Sequence, residues 1–220
     1  MRTVLLSIVL FVALTRIADS APVSEVDLKN LLAAIRQNRT TQADFQEQRV
    51  IRLMKKPIQS SGKVWFQPPN KFRREVKGNS PSLTVSDGRQ LWIHYPNFKS
   101  AERYPLGKGS PLDSTVAAIN SSLNLEDVEH TFQISATKTD SVQASYELTL
   151  LPRAPSMKRV FRKLDLRIND QLRVERTDMV LPNGDRIVTT YSNQTREPVP
   201  ASMFEFIPPA GTEVSMPLGK

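Results

Sequence analysis

The residues able to do covalent or metal chemistry are few. Two histidines, His94 and His130, and no cysteine stand in a chain of 220 residues. The missing thiol excludes a disulfide scaffold, a thiolate metal site and a cysteine nucleophile. His94 lies beside Trp92 in an apolar strand, where a satisfied structural histidine is expected. His130 is placed at the start of a strand, on the surface. No G-x-S-x-G elbow offers an activated serine, and no H-E-x-x-H pair offers a zinc site. Gly107-Lys108-Gly109 lacks the rest of a phosphate loop. Glu126, Asp127 and Glu129 read as a solvated acidic loop rather than a hard-cation site. A nucleophile, a base and an orienting group cannot be assembled from this set. The sequence therefore points away from an enzyme, a resident metal and a cofactor.

The remaining candidates are apolar and basic. Leu28, Leu31, Leu32 and Ile35 fall at i, i+3, i+4 and i+7, one stripe of an amphipathic helix over residues 24–37. Ser24 and Asp27 supply its capping signal. Leu112, Val116 and Ile119 carry the same spacing and predict a second short helix over 112–120. Between and after these helices the pattern becomes strand-like. Strands are expected at 43–54, 58–67, 71–77, a hairpin 83–95 turning at Asp87-Gly88, and 99–104. Further strands are expected at 130–137, 142–151, 158–168, 171–180, 186–192 and 204–207. The basic run Lys158, Arg159, Arg162, Lys163 and Arg167 is interleaved with apolar residues, as in a half-buried strand with a solvated face.

About ten short strands with no dividing linker suggest one strongly curved antiparallel sheet, mainly β with some α. Both amphipathic helices must bury their stripes, and the concave side of such a sheet would take them.

Charge and the N-terminus bound the setting. The formal net charge is +8, with 39% hydrophobic and 24% charged residues. Arg2, an apolar run from Val4 to Leu14 and small residues at Ala18 and Ser20 read as a signal peptide over 1–20, cleaved near Ser20/Ala21. Arg16 halts the run short of the ~20 residues a membrane span needs. Residues 21–220 then form one exported domain. Its basic charge is directed at anionic lipid head groups or acidic surfaces rather than nucleic acid.

Three ordered motifs carry a resemblance. Gly62-Lys63-Val64-Trp65-Phe66-Gln67-Pro68-Pro69-Asn70-Lys71-Phe72 is similar to the G-x-[LV]-W-x-x-x-P-N-x-[FL] stretch of the LolA family of periplasmic lipoprotein carriers. Val85-Ser86-Asp87-Gly88-Arg89-Gln90-Leu91-Trp92 resembles that family's V-S-D-G-x-x-L-W. Phe204-Glu205-Phe206-Ile207-Pro208-Pro209-Ala210-Gly211 resembles its F-x-F-x-P-P-x-G ending. Ala43 to Glu47 resembles an early A-x-F-x-Q strand.

The resemblance implies an unclosed β-barrel with a helical lid over an apolar cavity. It implies a monomeric periplasmic carrier that shields the acyl chains of a lipoprotein or related lipid. An inner-membrane donor complex and an outer-membrane acceptor would be its partners, in the service of outer-membrane biogenesis. Phe72, Leu91, Ile93 and the helix residues Leu28, Leu31, Leu32, Ile35, Leu112, Val116 and Ile119 become the cavity candidates. The alternative is a periplasmic lipid-sensing regulatory module built on the same half-barrel. Two departures stand out. Carriers of this family often place an arginine before the Pro-Asn pair that helps hold the lid shut, and here Pro68 occupies that position. Two residues past Phe72 they often have an aromatic, and here Arg74 stands on the same strand face.

Overall fold

Period-two burial sets the architecture. In Lys163–Ile168, Leu164, Leu166 and Ile168 are buried while Lys163, Asp165 and Arg167 turn outward. A residue pattern of this kind makes a sheet with one face dry and one face wet. The computed structural model describes residues 20–107, 125, 128–141 and 144–217. Among them, thirteen strands form one sheet. They are β1 (Ser20–Pro22), β2 (Gln42–Val50), β3 (Ile58–Gln67), β4 (Lys71–Lys77), β5 (Ser82–Asp87), β6 (Gln90–Tyr95) and β7 (Ser100–Pro105). β8 (Phe132–Ser141), β9 (Ala144–Pro152), β10 (Lys163–Ile168), β11 (Val174–Val180), β12 (Arg186–Thr195) and β13 (Glu213–Ser215) complete it. The spatial order is β1-β8-β9-β10-β11-β12-β2-β3-β4-β5-β6-β7-β13. Every pairing is antiparallel except β13 on β7. β1 and β13 form the two edges, so the curved sheet is an unclosed barrel.

The helix α1 (Glu25–Gln37) is built as its sequence dictates. The Ser24 hydroxyl oxygen accepts from the Asp27 N–H at 3.2 Å and its proton goes to the Asp27 carboxylate. At the other end the Asn38 side chain donates to the Ala34 carbonyl. Leu31, Leu32 and Ile35 are buried, and Leu28 packs beside them half-buried. They join one continuous apolar cluster with Phe45, Val64, Phe66, Phe72 and Leu91 from one half of the sheet. Phe132, Leu148, Leu150, Leu164, Leu166 and Ile168 supply the other half. One helix touching a cluster so wide requires the sheet to bend around it.

Several expected boundaries move, each for a local reason. β2 stops at Val50 instead of 54, because residues 51–54 close a turn with the Met54 N–H on the Ile51 carbonyl. The strand expected at 158–168 begins only at Lys163. Pro155 starts a single helical turn, Pro155–Lys158, and both Val160 and Phe161 bond back to the Met157 carbonyl. Phe161 is thereby fully buried, its ring 5.9 Å from Phe132. The strand expected at 130–137 starts at Phe132, after a helical turn Val128–Thr131 that holds an exposed His130. The one expected from 171 starts at Val174, because the Asn169 side chain accepts from the N–H groups of Gln171 and Arg173. The 87–88 turn shifts by one residue. Gly88 takes the positive φ, while Asp87 stays in β5 and accepts from Arg89 and Gln90. The helix expected at 112–120 lies outside the described residues.

The last expected strand, 204–207, is replaced by a 3₁₀ turn, Ala201–Phe204, and an irregular tail. Prolines at 200, 208 and 209 deny it ladder donors. The tail instead lies across the convex face of β4 to β6. Met203 accepts from Arg73, Phe204 is buried, and the Phe206 ring sits 5.5 Å from Trp92 and 5.3 Å from His94. His94 is thus a buried structural histidine on the convex side, away from the concave face.

Candidate functional site

Among the described residues, Phe72, Leu91 and Ile93 share the concave face with the apolar stripe of α1. Register places Phe72 opposite Phe66 and Ser86, and Leu91 opposite Ser86 and Tyr104, so both share the face that α1 covers. Phe72 is 1% exposed and Leu91 is 2% exposed. With α1 seated they form a dry floor, not an open cavity wall. Ile93, two residues on, shares Leu91's face but is only half-buried and lies outside the main cluster. Its neighbours are polar: Thr84 on one side and Glu102 on the other. The Tyr104 hydroxyl donates to Glu102 at 2.7 Å, and burial plus that carboxylate push its pKa up to about 12. Leu112, Val116 and Ile119 lie outside the described residues, as do Glu126 and Asp127.

α1 is tied down at one end by a polar contact. The Arg36 Nε donates to the Leu125 carbonyl at 3.2 Å, and its guanidinium pairs with Glu129. Glu129 from the acidic cluster therefore anchors a helix end and needs no cation to explain it. At its other end α1 follows β1, where the Val23 N–H bonds to Ala136.

Arg74 marks a border on the concave face. It stands on Phe72's side of β4, as its spacing requires. Its Nη2 donates to Glu47 Oε2 at 2.8 Å, and its guanidinium lies 4.3 Å above the Phe45 ring. Both ends of the pair are largely shielded, with side-chain exposures of 25% and 18%. Phe45 can lie flat there because Gly62 faces it; a Cβ at Gly62 would fall 3.0 Å from the ring and 1.7 Å from the Glu75 carbonyl oxygen. The glycine of the first motif is thus required by close approach of backbone and ring.

Beyond Arg74 the concave face opens. At this end of β2–β4 a cleft of about 710 Å³ is lined by residues of both strand faces, among them Gln46, Glu47, Arg49, Gln59, Ser60 and Val76, and by the β4–β5 turn. That volume lies in the range of small-molecule sites, ~300–1,000 Å³. The apolar floor under α1 and the mixed polar cleft at the open end of β2–β4 thus meet at the Arg74–Glu47 pair, Glu47 belonging to the cleft lining. Nothing in this arrangement sets a nucleophile against a base. Among the described residues no group of three or more histidines, aspartates or glutamates is placed to hold a metal.

Sequence reasoning missed most of the floor. Leu148, Leu150, Leu164, Leu166 and Ile168 are at most 1% exposed and carry a plain period-two signal. The Glu47 partner of Arg74 was not visible, because strand pairing brings it from 27 residues away.

Four similarities bear on this geometry. The sequence profile described as "Outer membrane lipoprotein carrier protein LolA" matches residues 36–207. An outer-membrane lipoprotein carrier protein of Dechloromonas aromatica is 30% identical over 181 residues, covering 82% of this chain and 83% of its own. A protein of the same name from Coxiella burnetii is 27% identical over 215 residues, covering 96% and 94%. Among solved structures, an uncharacterized conserved protein from Thermus thermophilus shares the fold with a TM-score of 0.51 at 13% identity, over 86% of this chain and 98% of its own.

Proposed function

Because the chain belongs to the LolA family of outer membrane lipoprotein carrier proteins, we propose that it is a periplasmic carrier. Its cargo is a lipoprotein or related lipid, whose acyl chains it shields between the inner and outer membranes. In this reading residues 1–20 are the export leader and residues 21–220 the carrier domain. A donor at the inner membrane loads it, an acceptor at the outer membrane unloads it, and the chain works as a monomer.

The observation that supports this best is the wide apolar floor covered, among the described residues, by α1 with its polar latch. An acyl chain in water costs about 0.8 kcal/mol per CH₂. Burial on the floor offsets that cost, while the Leu31, Leu32 and Ile35 stripe occupies the same surface when no cargo is present. Loading is then an exchange of one apolar contact for another, which keeps the net binding reversible. No covalent step is required of any residue. Leu28, Leu31, Leu32 and Ile35 act as the lid lining. Phe72 and Leu91 form the floor and Ile93 the rim. Leu112, Val116 and Ile119 would extend the lid.

The test is saturable binding. The exported protein should take up an apolar fluorescent probe near 1:1, and a long-chain lipid should displace it. Since the chain has no cysteine, Arg36→Cys with Glu129→Cys can be bridged by a short bismaleimide to hold α1 down. Uptake should fall in the bridged form and return when the linker is omitted. A natively folded protein with no saturable uptake, or full uptake with α1 bridged, would refute the reading.

A further inference from the structure

The tip of the β2–β3 hairpin groups exposed apolar side chains with cations. It carries Leu53 at 97% exposure and Met54 at 50%, flanked on the strands by Val50 and Ile58, which are also exposed. Large apolar side chains grouped at an exposed tip forgo the favourable removal from water that burial would give, and such patches mark interaction sites. The same tip is strongly cationic. Arg49, Arg52, Lys55 and Lys56 fall within residues 49–56, and no acidic residue falls among them. The tip is held in place rather than left loose. The Arg52 N–H donates to Asp185 Oδ1 at 3.0 Å, docking this hairpin on the β11–β12 turn.

We infer that the β2–β3 hairpin is a membrane-contact element that seats the open end of the half-barrel on an anionic phospholipid surface. The apolar side chains enter the interface while the four cations meet the head groups, the combination that holds amphipathic segments at bilayer surfaces. The hairpin tip itself carries cations and no carboxylate around its apolar centre, with Asp185 of the neighbouring turn meeting it at the Arg52 backbone, and that excess of one charge matches an anionic surface. Position supports the assignment. Arg49 and Ile58 belong both to the hairpin and to the lining of the open cleft. A bilayer contacted by Leu53 and Met54 therefore lies at the cleft mouth, so that an acyl chain could pass without crossing water. Why the chain should dock there rests on the carrier reading; that it docks does not.

The experiment is co-sedimentation of the exported protein with vesicles of phosphatidylethanolamine and phosphatidylglycerol, beside vesicles of phosphatidylcholine alone. Wild type should associate with the anionic vesicles, weakly with the neutral ones, and less as salt rises. Leu53→Asp with Met54→Asp should lower the partition coefficient about tenfold or more. Lys55→Gln with Lys56→Gln should lower it about fivefold per charge at low salt. All four positions are exposed, so melting temperatures should match wild type. Absence of wild-type association, or equal association by the Leu53/Met54 variant, would overturn the proposal. So would loss of cargo delivery in that variant with vesicle binding unchanged, which would indicate a protein acceptor. Uptake of the apolar probe, measured on the same samples, reports on the carrier reading separately.

Discussion

The two halves of the concave face are made differently. From β8 to β11 the inward positions include Phe132, Leu148, Leu150, Leu164, Leu166 and Ile168, each at most 1% exposed, with Ala136 and Thr177 buried and Ile134, Tyr146 and Met179 half-buried beside them. From β4 to β7 the inward positions alternate between apolar and polar: Phe72, Arg74, Thr84, Ser86, Leu91, Ile93, Glu102 and Tyr104. The first half is a mainly apolar core, with Thr177 its one buried polar member among the described inward positions. The second is a surface on which every apolar side chain has a polar neighbour. Stability should therefore be concentrated in β8–β11, where no substitution is cheap, and adaptability in β4–β7.

The sharpest way to break this comparison is the same truncation in both halves. Leu166→Ala should cost about 2–5 kcal/mol, because a fully buried leucine leaves a cavity in a closely packed layer. Ile93→Ala should cost only about 1 kcal/mol, since its site is half-open and bordered by Thr84 and Glu102. Denaturant midpoints of the two variants decide it. Equal losses would mean that the β4–β7 half is also a closed core and that the rim assignment of Ile93 is wrong.

The difference between the halves also explains what could be read from the sequence. Strands β3 and β4 were legible to the residue, because Pro and Asn punctuate them and Val64, Phe66 and Phe72 alternate cleanly. The α1 stripe was legible because four apolar residues at helical spacing follow a capping serine. The β10 entrance was not, since Val160 and Phe161 look like strand residues until the proline-started turn at 155–158 captures their N–H groups. The three-residue strands β1 and β13 were invisible, because at that length pairing partners rather than side-chain pattern decide structure. For the site, the motifs located Phe72 and Leu91, but only strand register could show that Arg74 meets Glu47 across β2 and β3.

A second variant tests the border between the compartments. Arg74→Leu alone strands Glu47 beside Phe45 without its cation, and should destabilise the chain by about 1–3 kcal/mol. Arg74→Leu with Glu47→Leu removes both charges, and stability should return to near the wild-type value. The double variant also joins the apolar floor to the cleft. Its affinity for an apolar probe should rise several-fold under the carrier reading. A thermal-melt and titration series over wild type, the single variant and the double variant separates the outcomes. If the double variant is as unstable as the single one, the pair is not the organising contact at that border. If its stability recovers but its probe affinity does not change, the border has no role in cargo binding.

The smallest expected effect lies at the seam where the two halves meet, on the convex side of β2 and β12. The Asn193 side chain donates to Asp44 Oδ2 at 2.7 Å, and Lys63 Nζ lies 3.6 Å from the other oxygen. Asn193 has φ +50° and sits where the β12–β2 register shifts between Ser192 and Thr195, so Asp44 fastens an irregular stretch of the ladder. The Asn193 bond, and after it the Lys63 charge, hold the Asp44 carboxyl below its ordinary value of 3.8 despite some desolvation. A carboxylate with a depressed pKa binds its proton less tightly in the folded chain than in the unfolded one. Its contribution is therefore fully present above the unfolded value and is lost as pH falls through the folded value. Asp44→Asn should lower the melting temperature slightly at neutral pH, by an amount typical of a surface site, about 0.5 kcal/mol. The gap between the two proteins should then narrow as the pH drops below 3.8. Melting curves of both proteins across that interval measure it. A gap that stays constant with pH would show that Asp44 contributes only a neutral hydrogen bond, and that charge plays no part in holding the seam.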